Sequence, residues 1–136
     1  MKVIVDANVV LDVLLARKPF FHAATEIFGL IEKSEVGGFL CATTITTVDY
    51  LLTVSLRPPE SRNTVCRLLE MFEIAAVNRV VIEEALRSKV QDFEDAVVVE
   101  SGRLAGVEAV LTRNVKDFKH ASLRVFDPIE FLASRH

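Results

Sequence analysis

Cysteine and histidine are scarce in this chain. The two cysteines, Cys41 and Cys66, have neither CxxC spacing nor a secretory context, so both are expected as buried thiols rather than as a disulfide or a zinc site. The three histidines, His22, His120 and His136, form no helical i,i+4 pair. A histidine-based metal site and a Ser-His-Asp triad are thereby disfavoured. Excess positive charge is also missing, since the net charge is −3. A protein that holds nucleic acid by bulk electrostatics carries the opposite sign, so such a partner needs a local patch, a metal or another subunit. No apolar run approaches membrane-spanning length, and Met1-Lys2 leads into strand rather than into a basic and then apolar leader. A soluble, cytoplasmic protein is expected.

What is present is an ordinary core-forming composition. In 136 residues, 51% are hydrophobic and 26% charged, which suits one domain over residues 1–136 built on a sheet covered on both faces. Val3-Ile4-Val5 is a strand and Val9 to Leu15 a short helix stopped near Pro19. Helix follows over Phe20 to Glu35, closed by Gly37-Gly38. The pattern then predicts strand at Phe39 to Ala42, helix from Thr44 to Leu56 capped by Thr43-Thr44, and helix from Glu60 to Phe72. Ile74 to Val77 is a third strand, Val80 to Lys89 a helix, and Asp92 opens a helix whose body runs from Ala96 to Gly106. Glu108 to Thr112 and Leu123 to Phe126 are the last strands, and Ile129 to Ala133 a terminal helix behind Asp127-Pro128. Strands alternating with helices imply right-handed crossovers and a parallel sheet, hence an α/β fold.

The chemistry lies in the acids. Val3 to Asn8 reads as a buried strand ending in Asp6, with an amide two residues on, and ligands of open α/β sheets bind beyond the carboxyl ends of strands. Helix capping is the plainer role for Asp6 or Asn8. In the third helix, Ile45, Val48, Leu52 and Leu56 form one apolar stripe at about 100° per residue, and Asp49 falls on it. A carboxylate there needs a partner, either a salt bridge or a metal shared with Asp6. In Asp92-Phe93-Glu94-Asp95, acids in a first turn suit the helix dipole. Asp95 nevertheless shares its face with Val98, Val99, Gly102 and Gly106. Asp92 lies about 60° round from that face and Glu94 is turned away as a solvated acid. Thr112 and Asn114 end the fourth strand beside Asp6, while Arg113 and Lys116 supply positive charge for a phosphate or, more plainly, for a salt bridge.

If Asp6, Asp49, Asp92 and Asp95 converge, repulsion demands shifted pKa values or a bound cation. Oxygen ligands without thiolate or imidazole favour Mg²⁺ or Mn²⁺, and such a site suits phosphodiester hydrolysis, with the acids as metal ligands and one of them as a general base.

Four segments carry a resemblance. Val-Asp-Ala-Asn-Val-Val-Leu-Asp at 5–12, Thr-Thr-Ile-Thr-Thr-Val-Asp at 43–49, Asp-Phe-Glu-Asp-Ala at 92–96 and Leu-Thr-Arg-Asn-Val-Lys-Asp-Phe at 111–118 are similar to the signature segments of PIN-domain proteins. The likeness runs over essentially the whole chain and resembles most the small single-domain prokaryotic members, among them VapC-type toxins. It implies a three-layer α/β/α sandwich with a central parallel sheet of four to five strands and a Mg²⁺- or Mn²⁺-dependent endoribonuclease. It further implies RNA as substrate, a homodimer and a cognate antitoxin. Asp6 matches the first family acid, Asp95 the third and Asp92 an extra acid of a subset. Asp49 stands where Glu is usual, and Asn114 occupies the fourth acidic slot, with Asp117 as a substitute. Two alternatives stand beside this reading. One is a PIN-like module that binds RNA or protein without cutting. The other is a phosphotransfer or phosphatase domain, which needs an Asp where Asn8 stands or a phospho-accepting Asp at a later strand end.

Overall fold

The computed structural model describes residues 1–135; His136 lies outside them. Alternate residues of Val3-Ile4-Val5 point to opposite faces of a strand, and both faces are covered. Val3 and Val5 join one apolar cluster and Ile4 the other. This strand, β1 (Lys2–Val5), is the middle of a five-stranded sheet. It pairs with β2 (Gly37–Cys41) on one side and β4 (Ala109–Leu111) on the other. The sheet is completed by β3 (Glu73–Ala75) and β5 (Arg124–Phe126), in the order β3-β2-β1-β4-β5. Every pairing is parallel, as the alternation of strands and helices predicts.

One helical layer contains α1 (Ala7–Leu14), α2 (Phe21–Glu32), α3 (Ala42–Leu52), α4 (Pro58–Met71) and α7 (Pro128–Ser134). They close over the face that holds Val3, Val5 and Leu111. The other layer is α5 (Arg79–Arg87) and α6 (Phe93–Leu104), which cover Ile4 and Val110. The result is an α/β/α sandwich. Every residue from Ala96 to Gly102 of α6 is buried, in keeping with its nearly all-apolar body. A Cβ on Gly102 would stand 2.8 Å from Val107 and 3.0 Å from Ile4, so only glycine lets α6 lie this close to β1. That close approach brings the start of α6 to the end of β1.

Four details differ from the sequence reading. Gly37 and Gly38, expected to close α2, instead open β2, and α2 ends at Glu32. Helix α3 starts directly after β2 with Cys41 as its extended N-cap. Thr43 and Thr44 therefore sit inside the helix, where the Thr43 carbonyl accepts the hydroxyls of Thr46 and Thr47 at 3.0 and 3.2 Å. A turn of 3-10 helix, Val115–Phe118, was not foreseen; it is pinned by the buried Phe118. Cys41 is buried as expected, but Cys66 is exposed on α4, because its position on the helix turns it away from the face that buries Leu68. Among the described residues no helix is long and apolar enough to cross a membrane.

Candidate functional site

The sheet order reverses at β1, since one crossover leads to β2 and a later one returns to β4 on the opposite side. Such a switch point opens a crevice at the carboxyl ends of the two strands. The register pairs Val5 with Leu111, so Asp6 and Thr112 emerge side by side. Asp6 caps α1 by accepting the Ala7 N–H at 2.9 Å on Oδ1. Its Oδ2 accepts the Thr112 hydroxyl at 2.8 Å and the Asn8 amide at 3.2 Å. The Thr112 oxygen in turn accepts the Asn114 N–H at 3.1 Å, and Asn8 Oδ1 accepts the Arg113 N–H at 3.2 Å. The capping role of Asp6 and its place at the crevice are both realised, by different oxygens.

Every donor to Asp6 is neutral. Burial raises its pKa above the usual carboxylate value; the bonds from Thr112 and Ala7 oppose that rise, and the charges of Glu94 and Asp117 add to it. Asp95 in the first turn of α6 is pushed up to about 7, first by burial and then by Asp6, Asp92, Asp117 and Glu94. Asp92 is the N-cap of α6 and accepts the Asp95 N–H at 2.9 Å. Glu94 is exposed, as expected. It is not turned clear of the site, because its charge reaches Asp6 and Asp95 and its Oε1 accepts the Thr47 hydroxyl at 3.4 Å. Asp117 comes from the unforeseen 3-10 turn. No lysine or arginine pairs with any of these five acids among the described residues.

Asp49 is placed differently. Its Oδ1 accepts the hydroxyl of the buried Ser61 of α4 at 2.7 Å, and it is not among the acids with the largest effect on Asp6 or Asp95. The partner that its apolar face demanded is thus a hydroxyl. Arg113 is also turned from the crevice. Its guanidinium meets Asp12 at 2.6 and 3.3 Å and stacks 3.9 Å from the centroid of the Phe20 ring, the salt bridge that was the plainer of its two expected roles. Lys116 lines an open cleft of about 860 Å³ with Asp92, Asp95 and Asp117. Lys89, Lys119 and His120 line the same cleft. Sequence reasoning missed them, because two loops supply them and no spacing in the chain links the loops.

The donor set is all oxygen, and among the described residues none of its carboxylates is in an ion pair. That fits a hard divalent cation. Among the described residues no three of these acids stand close enough to form a ready cage. A divalent ion held here would take few of its ligands from the protein.

A parallel α/β/α sandwich with uncompensated acids at its switch point is the architecture of a PIN-like domain. The profile of the PIN domain matches residues 2–116, and the chain belongs to that family. Similar solved structures include VapBC from Salmonella typhimurium bound to DNA, with TM-score 0.71 at 17% identity over 94% of this chain and 98% of that one. VapBC2 from Rickettsia felis, bound to a DNA fragment from its promoter, gives TM-score 0.70 at 12% identity over 93% and 98%. VapC20 from Mycobacterium tuberculosis, a toxin that cleaves the sarcin-ricin loop, gives 0.68 at 14% over 90% and 98%. At these identities the likeness is one of fold. A comparison with curated protein sequences gives no match.

Proposed function

We propose that this chain is a Mg²⁺- or Mn²⁺-dependent endoribonuclease and the toxin of a toxin–antitoxin pair. What supports the reading is the set of five acids at the β1/β4 switch point, none of them in an ion pair with a lysine or arginine among the described residues. Uncompensated charge of this kind is costly in a fold and is characteristic of a site that binds or reacts. Asp6 and Asp95 would hold the ion, and Asp92 and Asp117 would add negative charge beside it. When bound, the ion acidifies a water and neutralises the non-bridging oxygens of a phosphodiester. Asp95, whose carboxyl pKa is pushed up to about 7, would be the group to orient an attacking water and take a proton from it. Ala7 bonds one oxygen of Asp6, and Thr112 and Asn8 the other, which fixes its rotamer. Asn114 offers a carbonyl where an acid is usual in the family, and Asp117 supplies the charge. Asp49, shorter than the usual Glu and bonded to Ser61, would reach the ion only through a water.

The toxin assignment rests on the PIN profile and on the VapBC complexes among the similar folds. It brings with it a cognate antitoxin and a homodimer. The test is cleavage of single-stranded RNA by the purified protein with Mn²⁺, against the same reaction with EDTA. Metal-dependent cutting that Asp95→Asn removes supports the reading. A short reading frame for a DNA-binding antitoxin beside the gene supports the biological role. The rival reading, a module that binds without cutting, draws on Asn114 and on the Asp49–Ser61 bond; it predicts no stabilisation by divalent ions.

A further inference from the structure

One face of α1 holds Arg113 at two points. Asn8 and Asp12 are four residues apart in that helix, so their side chains stand one above the other. Asn8 Oδ1 accepts the backbone N–H of Arg113 at 3.2 Å, and Asp12 accepts its guanidinium at 2.6 and 3.3 Å. Phe20 covers the guanidinium at 3.9 Å. Asp12 is fully buried, so the forked contact is shielded from the solvent and salt that weaken surface pairs. Arg113 leads directly into the loop of the acid cleft. The next residue, Asn114, gives its N–H to the Thr112 hydroxyl at 3.1 Å, and its carbonyl accepts the Asp117 N–H at 2.9 Å to open the 3-10 turn. The turn ends on the buried Phe118. Asp117 therefore rides on a short span between two anchors, and its charge acts on both Asp6 and Asp95. Asp6 is the N-cap of the helix that holds Arg113, so α1 is the common reference for both carboxylates.

We infer that Arg113 and Asp12 are positioning residues for the divalent ion: their clamp on α1 sets how close Asp117 stands to Asp6. The inference rests on the metal-site reading above and extends it to two residues that do not line the cleft. Without the clamp the loop swings on Phe118, Asp117 withdraws and the ion is held less tightly. Arg17 meets the same Asp12 at 3.1 Å, but it lies in the turn after α1 and holds no residue of the loop. The two arginines thus share one carboxylate and differ in what they position.

The experiment is calorimetric titration of the full chain with Mn²⁺ at fixed pH, with urea denaturation of each variant alongside. Arg113→Gln should weaken Mn²⁺ binding about tenfold, the scale usual for groups that orient metal ligands. Should that variant fail to fold, Arg113→Lys takes its place; it keeps the charge but not the fork, and should weaken binding several-fold. Arg17→Gln should lower the urea midpoint and leave the Mn²⁺ affinity unchanged, which separates positioning from stability alone. Asp117→Asn should itself weaken binding about tenfold, and adding Arg113→Gln to it should weaken binding little further, because the clamp acts through Asp117. Parental affinity in the Arg113 variant, an equal loss in Arg17→Gln, or fully additive losses with Asp117→Asn would each overturn the clamp and leave the metal site standing. A parent that takes up no Mn²⁺ removes the metal site and the clamp together.

Discussion

Asp6 and Asp12 belong to the same short helix, one as its N-cap and one in its body, and both are withdrawn from water. Their surroundings are opposite. Asp12 is fully buried and is met by two guanidiniums, Arg17 at 3.1 Å and Arg113 at 2.6 Å. Asp6 has three neutral donors and acids for neighbours. A buried carboxylate with its own cations is a fastening, here joining the body of α1 to the loop after β4. One without cations lowers stability until something positive arrives. The contrast separates the acid that holds the fold from the acid that waits for a ligand, although a sequence presents them as the same residue.

The sharpest way to break this contrast is to neutralise each kind of acid in turn. Asp6→Asn and Asp95→Asn should each reduce metal-dependent RNA cleavage by about 10³-fold or more in kcat, since several kcal/mol of charge stabilisation is lost. The metal-free fold should be as stable as the parent or slightly more so, because each change relieves repulsion. Single-turnover cleavage and urea denaturation check the two halves. Near-parental cleavage by either variant would remove the assignment.

Asp12→Ala should do the reverse. It strands two arginines, of which Arg113 is three-quarters covered, and should lower unfolding free energy by ~3 kcal/mol. The urea midpoint should fall with no change in the m value. Cleavage per folded molecule should fall far less than with Asp95→Asn, because Asp12 does not face the cleft.

Much of this contrast was legible in the chain. The strand ending in Asp6 and the acids opening α6 stand out locally, because period and capping chemistry are local properties. The strand order that seats Thr112 beside Asp6 follows from crossovers, and the paired residues came from the expected elements. The fate of Arg113 was not legible, since a phosphate site and a salt bridge both want a lone arginine after a strand. Asp12 lay within the quoted motif without a role, because nothing in the spacing of Asp12, Arg17 and Arg113 marks them as partners. Lys89, Lys119 and His120 escaped for the same reason. Glu94 escaped by a smaller margin, as a long side chain can bring its charge to a face from which its Cβ points away.

Asp49 falls between the two kinds, being held by a hydroxyl rather than by a cation or an ion. Ser61 and the short side chain keep it in an outer position, so Asp49→Asn should lower cleavage about tenfold, the scale usual for outer-shell partners of a metal. The amide keeps an acceptor for Ser61, and stability should stay within about 0.5 kcal/mol. Kinetics against Mn²⁺ concentration check this. A loss as large as that of Asp95→Asn would mean that the carboxylate abandons Ser61 for the ion.

The smallest effect tests the unbalanced charge itself. Asp95 has a pKa of 3.8 when unfolded and about 7 when folded, so between those values the folded state binds the extra proton. Stability from this group is therefore complete below pH ~4 and is lost as pH rises through 7. Solvent near the carboxylate screens the effect, which we put at ~1 kcal/mol. Without divalent ions, the parent minus Asp95→Asn difference in unfolding free energy should fall from pH 5 to pH 8. Mn²⁺ should reverse that slope, because the ion binds the ionised form and its stabilisation grows with pH. Asp12→Ala should leave the reversal intact, since its charge was already balanced. A slope that Mn²⁺ does not change would place Asp95 with the fastening acids instead.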